Sequence, residues 1–345
     1  MIVAVTGGAG FLGSHLVRRL VERDDIKRIL VIDNLFTGRY ENLAGLNGRG
    51  SRVEVIRHDI CDPFHFECDL IVHLACPAAP IHYARNPART IITGVVGTLN
   101  TLKCAREVGA RMVFASTSEV YGDAEVHPQP ETYRGNVSCN GPRSNYDESK
   151  RAAEALCVAF NKQWGTDVRV IRFFNVYGPY MALGDGRVVP EFFRAAMSGE
   201  QIPIHGDGSQ TRSFCYVDDA IDATMRLCFR EAWPGADFPV NVGNPQEITV
   251  GDLASQIIDV VRARYGIDAT VRAGAAQIVG DDPHRRCPDI ARAREHLGWE
   301  PITPLRVGLE RTADYFWSLL HGTESKRANG TPTPADHIYA GAALS

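Results

Sequence analysis

Two short stretches of this chain hold the residue types needed for redox chemistry on an alcohol. They are Ser116-Thr117-Ser118-Glu119-Val120-Tyr121-Gly122 and Tyr146-Asp147-Glu148-Ser149-Lys150. A Tyr and a Lys one helical turn apart share a helix face. There the Lys150 ammonium can hold the Tyr146 phenol near ionisation, which makes the phenol a base at neutral pH. Thr117 and Glu119 follow the apolar run Met112-Val113-Phe114-Ala115, which reads as a buried strand. They fall at that strand's carboxyl end, where open α/β sheets bind ligands. Alone, Tyr146 with Lys150 is a spacing that chance often supplies, and a lone Glu119 reads equally as a surface carboxylate. Their company gives them weight.

That company begins with Thr6-Gly7-Gly8-Ala9-Gly10-Phe11-Leu12-Gly13, which follows the first strand and opens the first helix. Gly7, Gly10 and Gly13 let the chain turn, let the backbone approach a pyrophosphate and let the helix pack on the sheet. The helix N-terminus then faces the phosphates. Asp33 ends the second strand about twenty residues past Gly13, where a carboxylate accepts the adenosine ribose hydroxyls. It would repel a 2′-phosphate, so the expected cofactor is NAD rather than NADP. In the second half, Gln210-Thr211-Arg212-Ser213-Phe214 follows the loop His205-Gly206-Asp207-Gly208, and His284-Arg285-Arg286 forms a second basic cluster. Either is as readily a solvated surface as a grip on phosphate or carboxylate; together they fit a doubly charged nucleotide. The remaining histidines offer no metal spacing.

The elements that must position these residues alternate between strand-like and helix-like patterns. Strands are expected at 2–6, 28–32, 53–57, 70–75, 111–116 and 168–173, and helices at 11–23, 90–108 and 147–164. This alternation predicts an α/β fold: a Rossmann-type doubly wound parallel sheet with helices on both faces. After Gly178-Pro179 glycine, proline and charge become frequent. Helices are expected at 188–199 and 250–264, and a strand at 238–242 that returns to the core. The expected organisation is an NAD-binding domain over 1–178 and a smaller nucleotide-sugar-binding lobe over 179–320. A disordered tail is expected over 322–345. The chain has 345 residues and a net charge of −4, without a basic block or a membrane-length apolar run, which argues against nucleic acid and membrane partners. No signal peptide is apparent. The nine cysteines, none spaced as Cys-x-x-Cys, read as reduced thiols of a cytoplasmic protein.

With these motifs in place, the chain resembles the extended short-chain dehydrogenase/reductase superfamily of NAD-dependent nucleotide-sugar epimerases and dehydratases. Within it the likeness is to the UDP-glucuronate decarboxylase branch, and it runs from Ile2 to about Leu320. Besides the stretches above, it rests on Asp33-Asn34-Leu35-Phe36-Thr37-Gly38, His58-Asp59-Ile60 and His73-Leu74-Ala75-Cys76-Pro77-Ala78-Ala79-Pro80. It also rests on Val126-His127-Pro128-Gln129, Gly141-Pro142-Arg143, Asp185-Gly186-Arg187-Val188-Val189 and Asp281-Asp282-Pro283 to Asp289. The resemblance implies that Tyr146 is the base, Lys150 its partner and Thr117 a hydroxyl on the substrate side, with Glu119 and Arg212 acting at C5 and its carboxylate. It places Gly7, Gly10, Phe11, Leu12, Gly13, Asp33, Asn34, Thr37, Gly38, Asp59, Ile60, Leu74, Cys76, Ser116 and Arg187 beside NAD. It places Pro77, Asn175, His205 and Arg285 beside the UDP-sugar, with Arg286 as the alternative to Arg285.

The implied reaction is a redox-neutral decarboxylation of UDP-glucuronate. Oxidation at C4 makes the C5 carboxylate a β-keto acid, CO₂ is lost, and reduction of the ketone gives UDP-xylose. Two departures from the branch stand out: Ile92-Thr93-Gly94 replaces Lys-Thr-Asn, and Tyr180 replaces Arg. With the Lys and Asn missing, some UDP-4-keto-pentose is expected to escape. The rival readings are a 4,6-dehydratase, in which Glu119 would take the C5 proton, a 4-epimerase, and an NAD-binding protein without turnover. The resemblance further implies a homodimer formed through a four-helix bundle of the helices at 90–108 and 147–164.

Overall fold

The computed structural model describes residues 1–46, 48, 50–274 and 285–322. Mostly apolar runs build β1 (Ile2–Thr6), β2 (Arg28–Asp33), β4 (Leu70–His73) and β5 (Arg111–Thr117), and charge interrupts the pattern in β6 (Val168–Phe173) and in the edge strand β3 (Val53–Arg57). Such runs suit strands covered on both faces. The covering helices of the first half are α1 (Phe11–Val21), α2 (Pro80–Arg85), α3 (Pro87–Ile92), α4 (Thr98–Val108) and α5 (Ser144–Trp164). All pairings are parallel, in the order β3-β2-β1-β4-β5-β6. Alternate residues of one strand serve opposite layers: Val3 and Val5 pack with α1, whereas Ala4 packs with Leu102, Phe114 and Ala153. The strand order reverses between β1 and β4, and the crevice at that switch point receives ligands in sheets of this kind.

The second half supplies β7 (Val176–Tyr177), β8 (Gln201–Ile204), β9 (Thr211–Ser213), β10 (Cys215–Tyr216), β11 (Val240–Val242), β12 (Glu247–Thr249), β13 (Thr270–Ala273) and β14 (Arg285–Arg286). Its helices are α6 (Val188–Met197), α7 (Val217–Phe229), α8 (Val250–Tyr265), α9 (Ala291–Leu297) and α10 (Leu305–His321). β11 returns to pair with β6 and becomes the seventh strand of the main sheet. β9 lies between β12 and β14, in a small sheet that carries Arg212 and Arg286.

One expected element is broken. The helix expected at 90–108 is α3, then a π-helical turn over Thr93–Gly97, then α4. Gly94 and Gly97 sit where neighbours leave no room for a side chain. A Cβ on Gly94 would lie 2.6 Å from Ser149 Oγ, and one on Gly97 would run into the Ile60 side chain. The wider π turn brings these two bare positions against α5 and Ile60. α5 starts at Ser144 rather than Asp147, so Tyr146 and Lys150 both lie in its first two turns. β11 starts at Val240 rather than at 238. The tail expected over 322–345 lies, apart from Gly322, outside the described residues, as do His284 and Asp281-Asp282-Pro283.

Candidate active site

The turn after β1 forms a floor that only small residues can build. Gly7 has φ +70°, and a Cβ there would come within 2.8 Å of the Ala75 amide nitrogen. A Cβ on Gly13 would collide with the Gly7 carbonyl, which already accepts from the Gly10 N–H at 3.1 Å. Phe11 and Leu12 open α1, whose first N–H groups have no partners within the helix. Asp33 is buried and accepts from the Ala9 N–H at 3.0 Å and the Leu35 N–H at 2.8 Å. Burial raises its carboxyl above the ordinary value, and these two N–H donors oppose the rise. Gly38 lies against it: a Cβ there would be 2.7 Å from Asp33 Oδ2. Thr37, next in line, is exposed. Asn34 donates to Asp59 at 3.0 Å, and Asp59 also holds Arg89. The buried Ile60 accepts from Asn100 at 3.0 Å through its carbonyl. Leu74 is tied to the end of β1 by its N–H, 3.0 Å from the Thr6 carbonyl. Arg187, ion-paired with Asp185, stands 5.6 Å over the Phe11 ring at the edge of this floor. A cradle that a Cβ would fill, beside a buried carboxylate, fits a dinucleotide.

Beneath it lies a buried polar chain. Thr6 Oγ1 is 2.7 Å from His73 Nδ1, His73 Nε2 is 3.2 Å from Thr98 Oγ1, and Thr98 Oγ1 is 2.6 Å from the Gly94 carbonyl. Burial, with Lys150 nearby, pushes the His73 imidazole down to about 3, so it is neutral at ordinary pH.

The chemistry gathers where β5 ends. Lys150, on α5, donates to the Ala115 carbonyl at 2.7 Å. Ser116 is turned to the other side and donates to Glu154, which pairs with Arg172. Thr117 caps the turn over Ser118–Tyr121 by accepting from the Glu119 N–H at 3.2 Å. The Tyr146 ring stacks on Tyr83 at 5.3 Å and 12°. Its phenol is pushed well above the ordinary value by burial first, then by Cys76 and Glu119; the Thr117 hydroxyl, in hydrogen-bond contact with it, pulls the other way. The Lys150 side chain expected to favour the ionised phenol is anchored to the Ala115 carbonyl. Cys76 and Pro77 are half-buried beside this group. Burial raises the Cys76 thiol, and Lys150 lowers it.

Glu119, 8% exposed, is the centre of an ion cluster. Arg143 pairs with its Oε2, and Arg286 pairs with both oxygens, at 2.7 Å to Oε2. Arg212 is the register partner of Arg286 on the neighbouring strand and donates to the Thr211 carbonyl at 2.8 Å. Asn175, at φ +36°, reaches the same strand through the Ser213 carbonyl at 3.1 Å. The structure thus brings Thr117, Glu119, Tyr146 and Arg286 together and sets Arg212 and Asn175 beside them. Arg285 points away: its guanidinium meets His127 and Glu247 on the surface. His205 is an exposed loop residue whose carbonyl accepts from Gln210 at 2.9 Å. Sequence reasoning did not single out Tyr83, Arg143 as a partner of Glu119, or His73. Arg143 carried a signal, standing just ahead of the Tyr146 helix; nothing in the sequence pointed to Tyr83, far upstream on α2.

A parallel sheet with a glycine cradle at its switch point, a buried acid after β2, and Thr, Tyr and Lys at the end of β5 define an extended short-chain dehydrogenase/reductase. The family model described as the NAD dependent epimerase/dehydratase family matches residues 3–243, and the chain belongs to that family. Among its relatives, UDP-glucuronic acid decarboxylase 5 of Arabidopsis thaliana is 48% identical over 92% of this chain and 89% of that protein. UDP-glucuronic acid decarboxylase 1 of Xenopus tropicalis is 45% identical over 96% of this chain and 76% of that protein. Among solved structures, Thermotoga maritima UDP-glucose 4-epimerase with UDP-glucose aligns at TM-score 0.80 and 30% identity, covering 93% of this chain and 100% of that one. UDP-glucuronic acid 4-epimerase of Bacillus cereus with NAD aligns at TM-score 0.80 and 26% identity, over 93% and 98% of the two chains. The cofactor of the family is NAD. Among the described residues no helix is long and apolar enough to cross a membrane.

Proposed function

We propose that this protein decarboxylates UDP-glucuronate through a 4-keto intermediate and returns the sugar as UDP-xylose. The observation that carries this reading is the buried Glu119 carboxylate, bridged by Arg143 and Arg286 one step from Tyr146. Guanidinium groups in a dry pocket suit a substrate with a second carboxylate. The identity to UDP-glucuronic acid decarboxylases supports the same conclusion.

NAD, when bound, supplies the hydride acceptor at C4 and afterwards the hydride donor. It would rest on the Gly7–Gly13 turn, with Asp33 toward its ribose. Tyr146 takes the proton of the 4-hydroxyl as the ketone forms and gives it back at the end. Arg212 and Arg286 hold the C5 carboxylate. When the C5–carboxylate bond breaks, its electron pair enters an enolate whose oxygen lies at the former C4 hydroxyl. There the Tyr146 and Thr117 hydroxyls donate to it as charge develops. Water held by Glu119 protonates C5. Gly94, where relatives of the branch carry Asn, leaves Lys150 dependent on the Ala115 carbonyl, so part of the ketone is expected to leave as UDP-4-keto-pentose. The assembly read from these helices is a cytoplasmic homodimer. Ile91, Ile92, Val96 and Trp164, exposed at 45, 43, 37 and 45%, would be covered between the α3–α4 and α5 faces.

The deciding assay incubates the protein with UDP-glucuronate and NAD and follows CO₂ and the sugar nucleotides. CO₂ with UDP-xylose is expected. UDP-galacturonate without CO₂ would make the protein a 4-epimerase, as the fold of the Bacillus cereus enzyme allows. A 4-keto-6-deoxy product from a neutral hexose nucleotide would make it a dehydratase.

A further inference from the structure

His127, Glu247 and Cys287 come from three separate segments, and their ligand atoms all lie within 4.8 Å of one another. Backbone and side-chain bonds fix all three positions. Gln129 accepts the Cys287 N–H through its side chain at 2.8 Å and donates its own N–H to the Cys287 carbonyl at 2.9 Å, which locks the His127 segment to the Cys287 segment. Glu247 opens β12, and its Oε1 accepts from the Thr211 hydroxyl at 2.7 Å, leaving Oε2 to face the cluster.

A cation already marks the spot. Arg285 Nη2 lies 2.8 Å from His127 Nε2 and 3.2 Å from Glu247 Oε2. His127 Nε2 is itself 3.0 Å from Glu247 Oε2, so it donates to that carboxylate when it carries hydrogen and offers its lone pair to the guanidinium when it does not, while Glu247 accepts in either case. The Cys287 sulfur, which contacts the Pro245 carbonyl at 3.3 Å, completes a nitrogen, oxygen and sulfur set.

We propose that His127, Glu247 and Cys287 bind a zinc-class divalent transition metal, with Arg285 as the cation it displaces. Thiolate and imidazole select such ions over Mg²⁺ and Ca²⁺, which want oxygen ligands. Contraction of the cluster to bond lengths of about 2.0–2.3 Å is a small movement, and water can complete the tetrahedron. The Arg285 side chain is 56% exposed and can withdraw into solvent. Exchange of one cation for another leaves the Glu247 charge compensated. Cys287 directly follows Arg286, which grips Glu119, so a metal here would anchor the strand that carries that guanidinium.

The test uses the full chain, stripped with chelator and dialysed. Zn²⁺ is titrated by calorimetry, and Co²⁺ by absorbance. One equivalent of each should bind, and Co²⁺ should show a thiolate-to-cobalt charge-transfer band. Cys287→Ser should abolish the band, and Cys287→Ser and His127→Ala should each weaken Zn²⁺ binding by about tenfold or more. Arg285→Ala should tighten it. No band, Zn²⁺ binding indifferent to Cys287→Ser and His127→Ala, or Arg285→Ala binding no tighter than the parent would each overturn the proposal. Circular dichroism of each variant, matched to the parent, separates lost ligands from lost fold.

Discussion

Substitution of Gly94 by Ala tests whether the break between α3 and α4 is built around the neighbouring helix. A Cβ there would lie 2.6 Å from Ser149 Oγ and 2.7 Å from Ser149 Cβ. Ser149 has little room to retreat: it is 1% exposed, and its hydroxyl donates to the Tyr146 carbonyl at 2.8 Å. Overfilling a packed site costs about 1–3 kcal/mol, and a conflict with two buried atoms belongs near about 3. Replacing Gly by Ala in a helix returns about 1 kcal/mol. The net expectation is a loss of about 2 kcal/mol, which lowers the melting temperature by about 3 °C in a chain of this length. Ser149→Gly removes both conflicting atoms, so the double variant should regain most of that loss. The cycle of Gly94→Ala and Ser149→Gly, measured by chemical unfolding, should give a coupling energy of about 3 kcal/mol, because the propensity gain belongs to one site and cancels. Because Ser149 lies between Tyr146 and Lys150, the single variant should also lose turnover that the double variant recovers. Additive losses, or a Gly94→Ala protein more stable than the parent, would refute the reasoning.

Tyr146→Phe keeps the ring on Tyr83 and removes the hydroxyl, so CO₂ release should fall about 100- to 10,000-fold with the melting temperature nearly unchanged; full activity would unseat Tyr146 as the base. Glu119→Gln leaves two buried guanidiniums facing a neutral amide. Breaking such a pair costs about 3–5 kcal/mol, and an unaltered denaturant midpoint would show that the cluster contributes nothing. His73 supplies a pH dependence of known sign. Its imidazole binds a proton near 6.5 when unfolded and only near about 3 when folded, so the unfolded chain holds more protons between those values and stability falls as pH drops through that window. Between pH 7 and pH 5 the loss from this one group is about 2 kcal/mol. His73→Asn should remove that increment from the difference between urea unfolding at the two values, and an unchanged difference would mean that the imidazole is not held neutral.

The parallel sheet was legible because its strands are short, mostly apolar runs that alternate with helical patterns and because its first turn carries glycine. Every strand end from Ile2 to Phe173 falls within two residues of expectation. The turn after β1 and Asp33 were legible for a related reason, since their roles are local and depend on backbone and spacing. The break at Thr93–Gly97 was not, because two glycines inside an otherwise regular pattern report nothing about what presses on them. The partners of Glu119 were only half legible. Arg285 and Arg286 are adjacent in sequence, and nothing local says which one turns inward; on a strand, adjacent side chains face opposite ways, and pairing with β9 turns Arg286 toward Glu119. His127, Glu247 and Cys287 had no shared spacing to betray them, because three segments meet only after the chain has folded.

The polar chain from Thr6 to Gly94 has a direction. A backbone carbonyl only accepts, so the Gly94 oxygen obliges the Thr98 hydroxyl to donate to it. That leaves the Thr98 oxygen to receive the proton on His73 Nε2, which leaves Nδ1 bare and turns the Thr6 hydroxyl toward it. One atom in the π turn thereby dictates which nitrogen of His73 carries hydrogen, under the floor of the glycine loop. The interruption in the helix works as a polarity stop: it selects one of two mirror arrangements of the same hydrogens, and no rotation of a single group can reverse the choice.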